Sequence, residues 1–109
     1  MGGRGLMSAG RVTVLARVQA RAGHEDEVRR LLLALVAPSR AEAGCLNYDL
    51  HQSTTDPTEF MFYENWTSRA ALDAHMEMPH LDEFDAQAEE LLAAPVRVTF
   101  WQMTSAPAR

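Results

Sequence analysis

The side chains best suited to chemistry stand close together in the second half of the chain. Glu64 and Trp66 are two positions apart in a segment that alternates like a strand, so a carboxylate and an indole share one face with Phe62. His75 follows on a short helix, at a spacing that places it on the apolar side, and His80 comes soon after. Imidazoles can exchange protons near neutral pH, and an indole can donate a hydrogen bond or stack on a ring. The spacing therefore predicts one pocket that contains all of these groups.

Composition excludes several classes of function. The chain has 109 residues, which is enough for a single domain with one core. Its net charge is −5 and it has no basic run, so we expect neither nucleic acid nor an anionic membrane as a partner. All ten basic residues are arginine. The lack of lysine excludes Schiff-base chemistry and a P-loop lysine.

Cysteine and histidine spacing argue against a metal centre or a disulfide. Cys45 is the only cysteine in the sequence, which excludes an internal disulfide and a site built from several thiolates. His75 and His80 are five positions apart, whereas a helical zinc pair needs four. No stretch reaches the ~18 apolar residues of a membrane span, and we expect a cytoplasmic protein without cofactors.

Hydrophobic periodicity predicts four strands and three helices. Ser68 suits a helix N-cap, and Pro79 suits a first helical position. Pro38 either kinks or ends the first helix, which has an acid-rich first turn and which Gly44 terminates. The predicted elements are a strand over 11–20, a helix from 25 to at most 43, strands over 45–53 and 59–66, a helix from 69 to 75 or 76, a helix from 79 that Ala94 and Pro95 end, and a strand over 96–103.

The order β-α-β-β-α-α-β predicts an α+β fold, the ferredoxin-like split βαβ arrangement with a four-stranded antiparallel sheet. We expect a single domain over residues 11–104, a disordered N-terminal tail over 1–10 and a C-terminal tail over 105–109. The helices should cover one face of the sheet. Because the last two strands carry apolar residues on both sides, we expect a second copy of the chain to cover the other face, as an isologous homodimer.

The chain carries three motifs that together identify a family resemblance. They are Glu64-x-Trp66-x-Ser68 followed by Ala71-Leu72-x-Ala74-His75-x3-Pro79-His80, then Gly44-Cys45-x2-Tyr48-x-Leu50, and Val12-Thr13-Val14 with Gly23. Over residues 11–103 the sequence resembles the antibiotic biosynthesis monooxygenase family. The resemblance implies a small dimeric α+β barrel. It also implies a monooxygenase without flavin, metal or haem, which acts with dioxygen on a small aromatic substrate, either a quinol or a phenolic, polyketide-like compound.

Such a reaction needs a base for the phenolic proton, donors for the oxyanion and an apolar wall. We assign the catalytic roles to His75, Trp66 and Glu64. His75 lies near a helix C-terminus, where the dipole favours imidazolium, so we expect it to be the base, with Glu64 as a further stabilising group. Trp66 would donate its indole N–H or stack on the substrate ring. His80 follows the helix-opening Pro79, where the dipole favours neutral imidazole.

The residues expected to bind substrate are aromatic, polar or flexible: His80, Asn47, Tyr48, Phe62, Tyr63, Met76 and Phe84. On the second strand, alternation places Tyr48 on one face with Leu46 and Leu50, and Asn47 on the opposite face. Each candidate also has a purely structural interpretation, since histidines, tyrosines and methionines commonly pack or fill gaps in a core. Glu64 could instead pair with an arginine on a neighbouring strand, Arg17 or Arg97.

Other functions on the same scaffold stay open. A haem-degrading relative would have an asparagine near the end of the first strand, and residues 17–20 contain none. A relative that isomerises phosphorylated sugar-like molecules would need converging basic residues, whereas Arg17, Arg69 and Arg97 are scattered in sequence. A dimeric module that binds an aromatic metabolite without turnover would use the same pocket.

Overall fold

Within residues 10–108, which the computed structural model describes, the chain forms four strands and four helices. The predicted disordered tail over 1–10 lies, apart from Gly10, outside the described residues. The elements are β1 (Val12–Gln19), α1 (Glu25–Leu33), α2 (Val36–Arg40), β2 (Cys45–Gln52), β3 (Glu59–Trp66), α3 (Arg69–Met76), α4 (Pro79–Ala88) and β4 (Arg97–Trp101).

The strands form one antiparallel sheet in the order β2-β3-β1-β4. Val14 of β1 lies opposite Glu64 of β3 and opposite Phe100 of β4. On the other side of β3, Tyr48 of β2 lies opposite Glu64. Residues directly opposite each other in antiparallel strands share a face, so these four side chains form one row across the sheet. The predicted α+β ferredoxin-like fold with four antiparallel strands is confirmed.

The first predicted helix is two helices. α1 ends at Leu33, and the chain turns through Ala34 and Leu35 before α2 begins. The break therefore precedes Pro38, where we expected a kink or an end. Pro38 is the third residue of α2, in the first turn of a helix, where a missing backbone N–H loses no helical hydrogen bond. The short α2 packs against β2 and leads into the turn at residues 41–44.

A β-bulge near the start of β2 changes which side chains face the helices. Cys45 and Asn47 lie opposite consecutive residues of β3, so Leu46 between them has no partner. The side chain of Leu46 is 45% exposed. The prediction that Leu46 shares a face with Tyr48 was wrong, because simple alternation assumes an unbroken ladder. From Tyr48 to the end of β2 the predicted alternation holds.

The two helices after β3 begin where the sequence predicts. Ser68 caps α3, since its hydroxyl oxygen accepts a hydrogen bond from the Ala71 backbone N–H at 3.0 Å. Pro79 is the first residue of α4. This helix ends at Ala88, so the prediction that it continues until Ala94 and Pro95, with Leu91 on its inward face, was wrong by between one and two turns. The backbone N–H of Leu91 instead donates to the Ala88 carbonyl oxygen in the following turn, at 2.8 Å.

Gly44 brings the start of β2 close to α3. Its φ is +86°, and a Cβ at this position would lie 2.5 Å from Ala71 Cβ and 2.7 Å from Thr67 Oγ1. Both the positive φ and the close approach require glycine. This packing places α3, which carries His75, beside the turn that carries Glu42.

The helices cover one face of the sheet, and buried apolar side chains from both layers form the core. The opposite face, which we call the outer face, is only partly apolar. Tyr63 and Trp101 are 37% and 55% exposed there, whereas Thr13, Asn65 and Asn47 are joined by side-chain hydrogen bonds. The expectation of two apolar faces is therefore met only in part, because β1, β2 and β3 contribute the polar groups Thr13, Asn47 and Asn65. None of the helices in the described chain is long and apolar enough to cross a membrane.

Candidate functional site

A cavity of about 190 Å³ lies between the sheet and the helical layer. All four strands contribute to its wall, and α1, α3 and α4 complete it. Three lining side chains can exchange or donate protons and are buried: Tyr48, Glu64 and His75. Most of the remaining wall is aliphatic or aromatic and includes Phe62, Met76 and Phe84. The cavity therefore combines a water-poor wall with a few polar groups, as small-molecule sites usually do.

Glu64 is a buried carboxyl group, with 3% of its surface exposed. Its Oε1 accepts a hydrogen bond from Trp66 Nε1 at 2.9 Å. Burial raises the pKa of Glu64 to about 7 and the charge of Glu42 adds to the increase, although the indole hydrogen bond opposes it. The alternative, in which Glu64 pairs with an arginine, is not seen among residues 10–108, and Arg17 binds Glu59 at 3.1 Å. Near neutral pH Glu64 can thus be either a hydrogen-bond donor or an acceptor.

Trp66 is fully buried and does not line the cavity. Its ring centroid lies 4.5 Å from that of His75, with the planes tilted by 35°. The indole N–H, which we expected to meet substrate, is bonded to Glu64. In this geometry Trp66 donates a hydrogen bond to Glu64 and packs against His75, but does not itself line the cavity.

His75 and His80 both contact Glu42, a residue of the turn before β2. His75 Nδ1 and His80 Nε2 each lie 2.8 Å from the same oxygen, Glu42 Oε2. The side chains of His75, Glu42 and His80 are 3%, 5% and 20% exposed. His75 lines the cavity, whereas the other two lie behind it. One buried carboxylate oxygen therefore joins two imidazoles, only one of which reaches the cavity.

The protonation of His75 differs from the expectation based on the helix dipole. Burial lowers the pKa of His75, and the hydrogen bond and charge of Glu42 only partly offset this effect. The neutral imidazole is therefore favoured near pH 7, in spite of the nearby helix C-terminus. Glu42 is the hydrogen-bonded carboxylate beside His75, the position that we expected Glu64 to take.

Tyr48 is 2% exposed and packs between the other rings of the site. Its ring centroid lies 4.4 Å from that of Phe62 and 5.3 Å from that of His75. Burial raises the pKa of the Tyr48 phenol well above its ordinary value and the nearby Glu64 adds to this effect, although an interaction with the Ser39 hydroxyl opposes it. The phenol therefore stays protonated and can donate a hydrogen bond.

The other predicted substrate-binding residues fall into two groups. Met76 and Phe84 line the cavity, and Met76 is 46% exposed, which places it at the rim. Asn47 and Tyr63 lie on the outer face, on the far side of the sheet. The amide of Asn47 donates to Asp49 Oδ2 and to the Tyr63 carbonyl oxygen. The structure thus brings most of the predicted residues to one place but not these two.

Glu42, His75 and His80 also form a donor set that a metal ion could use. One donor atom from each residue lies within 4.8 Å of the others. Two imidazoles and a carboxylate are ligands of catalytic zinc and of non-haem iron. Both nitrogens, however, stand at an ordinary hydrogen-bond distance from a single oxygen. The spacing of His75 and His80 excludes a helical zinc pair, but it did not predict that both rings would meet at Glu42, a turn residue.

Sequence reasoning missed Glu42. It lies 33 positions before His75, in a turn between a helix and a strand. Nothing local marks it, except that it comes shortly before Gly44 and the strand that pairs with the Trp66 segment. That signal predicts proximity to β3 but not a contact with α3.

The model of the family described as antibiotic biosynthesis monooxygenase matches residues 11–87. The chain is 44% identical over 88 residues to "Putative monooxygenase Rv0793" of Mycobacterium tuberculosis, covering 81% of this chain and 86% of that protein. It is 32% identical over 87 residues to "Putative monooxygenase YcnE" of Bacillus subtilis, covering 80% and 92%. The crystal structure of PA3566 from Pseudomonas aeruginosa has a TM-score of 0.84 at 40% identity, covering 90% of this chain and 98% of that one. The relatives' names indicate an enzyme of the monooxygenase class, and the sequence match and the shared fold agree that this chain belongs to the antibiotic biosynthesis monooxygenase family.

Proposed function

We propose that this protein is a monooxygenase that needs no cofactor and oxidises a quinol or phenolic substrate with dioxygen. The observation that carries the proposal is the buried imidazole of His75 in the wall of a largely apolar cavity, beside a carboxyl group and a phenol. A phenol becomes a much better electron donor once it is deprotonated. A base and a water-poor cavity are therefore what the protein must supply.

His75 is the proton acceptor in this proposal. Its neutral form, which burial favours, takes the phenolic proton from substrate in the cavity. The resulting anion passes electrons to dioxygen, one oxygen atom enters the ring, and the other leaves as water. For a benzoquinol, the balance is quinol plus dioxygen to hydroxyquinone plus water. The apolar wall keeps bulk water away from the reactive intermediates.

Tyr48 and Glu64 are suited to hold the substrate oxygens. The phenol of Tyr48 is a donor at neutral pH because burial raises its pKa. Glu64 has a pKa of about 7, so it can donate a hydrogen bond to an oxyanion when protonated and accept one when ionised. Trp66 fixes the Glu64 carboxyl group through its indole N–H. These two donors would stabilise the anion that His75 creates.

The size of the cavity favours a single aromatic ring within it. Its volume is about 190 Å³. An engineered protein cavity of about 150 Å³ holds benzene, so one substituted ring fits here, whereas a multi-ring polyketide would have to extend past the rim. Met76, which lines the cavity and is half exposed, marks where such an extension would pass.

The same wall disfavours the two other enzyme classes. No arginine lines the cavity within the described residues, and its ionisable groups include Glu64 and Asp85, which would repel a phosphorylated substrate. A porphyrin is far larger than the single ring that the volume accommodates. Arg69, one of the scattered arginines, binds Asp73 and lies over the Phe100 ring.

A homodimer is part of the proposal. Tyr63 and Trp101 on the outer face are large, partly exposed rings, and Leu15 lies between their strands. A second copy packed on this face would bury them, as an isologous interface requires. Light scattering on the purified protein would measure the mass of the assembly directly.

Oxygen uptake with a panel of benzoquinols, naphthoquinols and hydroxyanthrones tests the function. We expect turnover with single-ring quinols, and a loss of at least about 100-fold in His75→Ala. His24→Ala is the matched control, because His24 lies in the turn before α1, is 44% exposed and does not line the cavity. Near-wild-type turnover in His75→Ala would remove His75 from the mechanism. Binding of quinols without oxygen uptake would instead identify a binding module.

A further inference from the structure

We infer that Glu42 is a positioning residue that holds His75 in the tautomer with a proton on Nδ1, so that the Nε2 lone pair is the one presented to the cavity. The inference deepens the proposed function, on which it rests for the substrate proton that Nε2 accepts. The juxtaposition that carries it is one buried carboxylate oxygen at 2.8 Å from two imidazole nitrogens.

The contacts define which atoms are engaged. The Glu42 side chain is 5% exposed, and its Oε2 contacts His75 Nδ1 and His80 Nε2. A carboxylate only accepts hydrogen bonds, so both nitrogens that face it must carry protons. Placing a nitrogen lone pair against a carboxylate oxygen would instead leave two acceptors in contact at hydrogen-bond distance. The ionised carboxylate therefore selects the tautomer of both rings at once.

The position of the cavity gives this selection a chemical consequence. His75 lines the cavity, whereas Glu42 and His80 do not. Since Nδ1 is turned toward Glu42, the ring nitrogen left for a substrate is Nε2. When Nε2 takes a proton, the ring becomes imidazolium, and its new charge lies beside the carboxylate that already holds Nδ1–H. A carboxylate behind a histidine base acts in this way, by orientation and by stabilising the cation.

His80 completes the arrangement on the other side of the carboxylate. Its Nε2–H donates to the same oxygen and satisfies a second lone pair that burial would otherwise leave unpaired. Its side chain is 20% exposed, compared with 3% for His75. His80 therefore fixes Glu42, while only His75 meets substrate.

Nitrogen NMR on uniformly labelled protein tests the inference without any substrate. The sequence has four histidines, and protonated and lone-pair nitrogens of a neutral ring have well-separated shifts. At pH 8 we expect Nδ1–H and an unprotonated Nε2 for His75 in the wild type. A wild-type His75 with its proton on Nε2, or one charged at this pH, would overturn the inference even if no variant folds.

Glu42→Gln gives the second comparison, with Glu27→Gln as its matched control. Glu27 accepts from His24 Nδ1 at 2.9 Å, but both side chains are about half exposed, so this pair imitates the contact without the burial. We expect Glu42→Gln to shift His75 toward a mixture of tautomers, and Glu27→Gln to leave the His75 signals unchanged. An unchanged His75 tautomer in folded Glu42→Gln would refute the role of the carboxylate.

Kinetics and metal content separate the remaining possibilities. If quinol turnover is found, kcat in Glu42→Gln should fall by about 100-fold while KM stays within about threefold, and Glu42→Asp should recover part of kcat. Equal loss in Asp and Gln variants would contradict the positioning role. Elemental analysis that finds one transition-metal ion per chain, lost in Glu42→Gln, would also overturn it, because a metal would then occupy the place of the two protons. Absence of turnover with every quinol would count against the proposed function alone, since the NMR result stands without it.

Discussion

Trp66 Nε1 donates a hydrogen bond to Glu64 Oε1 across 2.9 Å, and both residues are buried. The two side chains share one face of β3 because they are two residues apart, as the sequence indicates. The indole N–H is therefore used within the protein. The indole therefore affects chemistry in the cavity indirectly, by changing the pKa of Glu64, which lines the cavity.

Trp66→Phe should raise the pKa of Glu64 above its value of about 7, because the indole hydrogen bond lowers that pKa in the wild type. The variant should also lose about 1–3 kcal/mol of stability from the carboxyl oxygen left without its donor, in addition to lost packing. Trp101→Phe is the matched control, since the Trp101 indole also donates to a side-chain oxygen two residues away but is exposed. Carbon NMR titration of the Glu64 carboxyl group measures the shift, and an unchanged pKa would show that the indole bond has no such effect.

Glu64 should make the wild type less stable as pH rises from about 4.5 to about 7. Its pKa is higher in the folded state than the ordinary value of 4.5, so the folded state binds more protons in this window and the free energy of unfolding falls with pH. The full effect is at most about 3 kcal/mol. Urea unfolding at several pH values compares the wild type with Glu64→Gln, in which this fall should vanish. Subtracting the two free energies of unfolding at each pH removes the contribution of His75, which has the opposite sign. If the wild type and Glu64→Gln showed the same pH dependence, the raised pKa of Glu64 would be contradicted.

Gly44→Ala should destabilise the protein by several kcal/mol and lower the activity. Its positive φ alone costs about 1–2 kcal/mol for an alanine, and the new Cβ would also collide with Ala71 on the helix that carries His75. Gly23→Ala is the matched control, because Gly23 has a φ of +92° but no atom within 4 Å of an added Cβ. Thermal unfolding should show a larger loss for Gly44→Ala, and equal losses would mean that the contact with α3 has no energetic role.

Trp101→Glu should shift the proposed homodimer toward monomer. The indole is 55% exposed on the outer face, and a carboxylate there would be buried without a partner in the dimer. Light scattering across a dilution series measures the change, with Leu33→Glu as control, since Leu33 is a comparably exposed apolar residue on α1. A monomeric wild type would contradict the dimer itself.

The order of the elements was predictable because its signals are local. Alternation of apolar and polar residues predicted β1, Ser68 marked the start of α3, and Pro79 marked that of α4. The bulge at Leu46 was not predictable, since it depends on how β2 pairs with a strand that follows it in the chain. The break before Pro38 likewise depends on how α2 packs on β2.

Only the part of the candidate site that comes from the segment between Glu64 and His75 was predictable. Glu64 and His75 lie within a dozen positions of each other, and periodicity alone placed both toward the core. Glu42 reaches His75 only after the chain has folded back, because the contact joins a turn to a helix 33 positions away. Asn47 and Tyr63 show the opposite error. Their side chains are chemically suited to bind substrate, but the pleat of their strands places them on the outer face, away from the cavity.

Because a single carboxylate oxygen contacts two rings, Glu42 shares one constraint with two residues that lie 33 and 38 positions away in the chain. Replacing Glu42 would leave the buried imidazole of His75 and the partly buried imidazole of His80 without their shared acceptor, so exchanges at Glu42, His75 and His80 should be inherited together among related proteins. The surface pair of His24 and Glu27, which has the same chemistry but lies in solvent, should drift without such coupling.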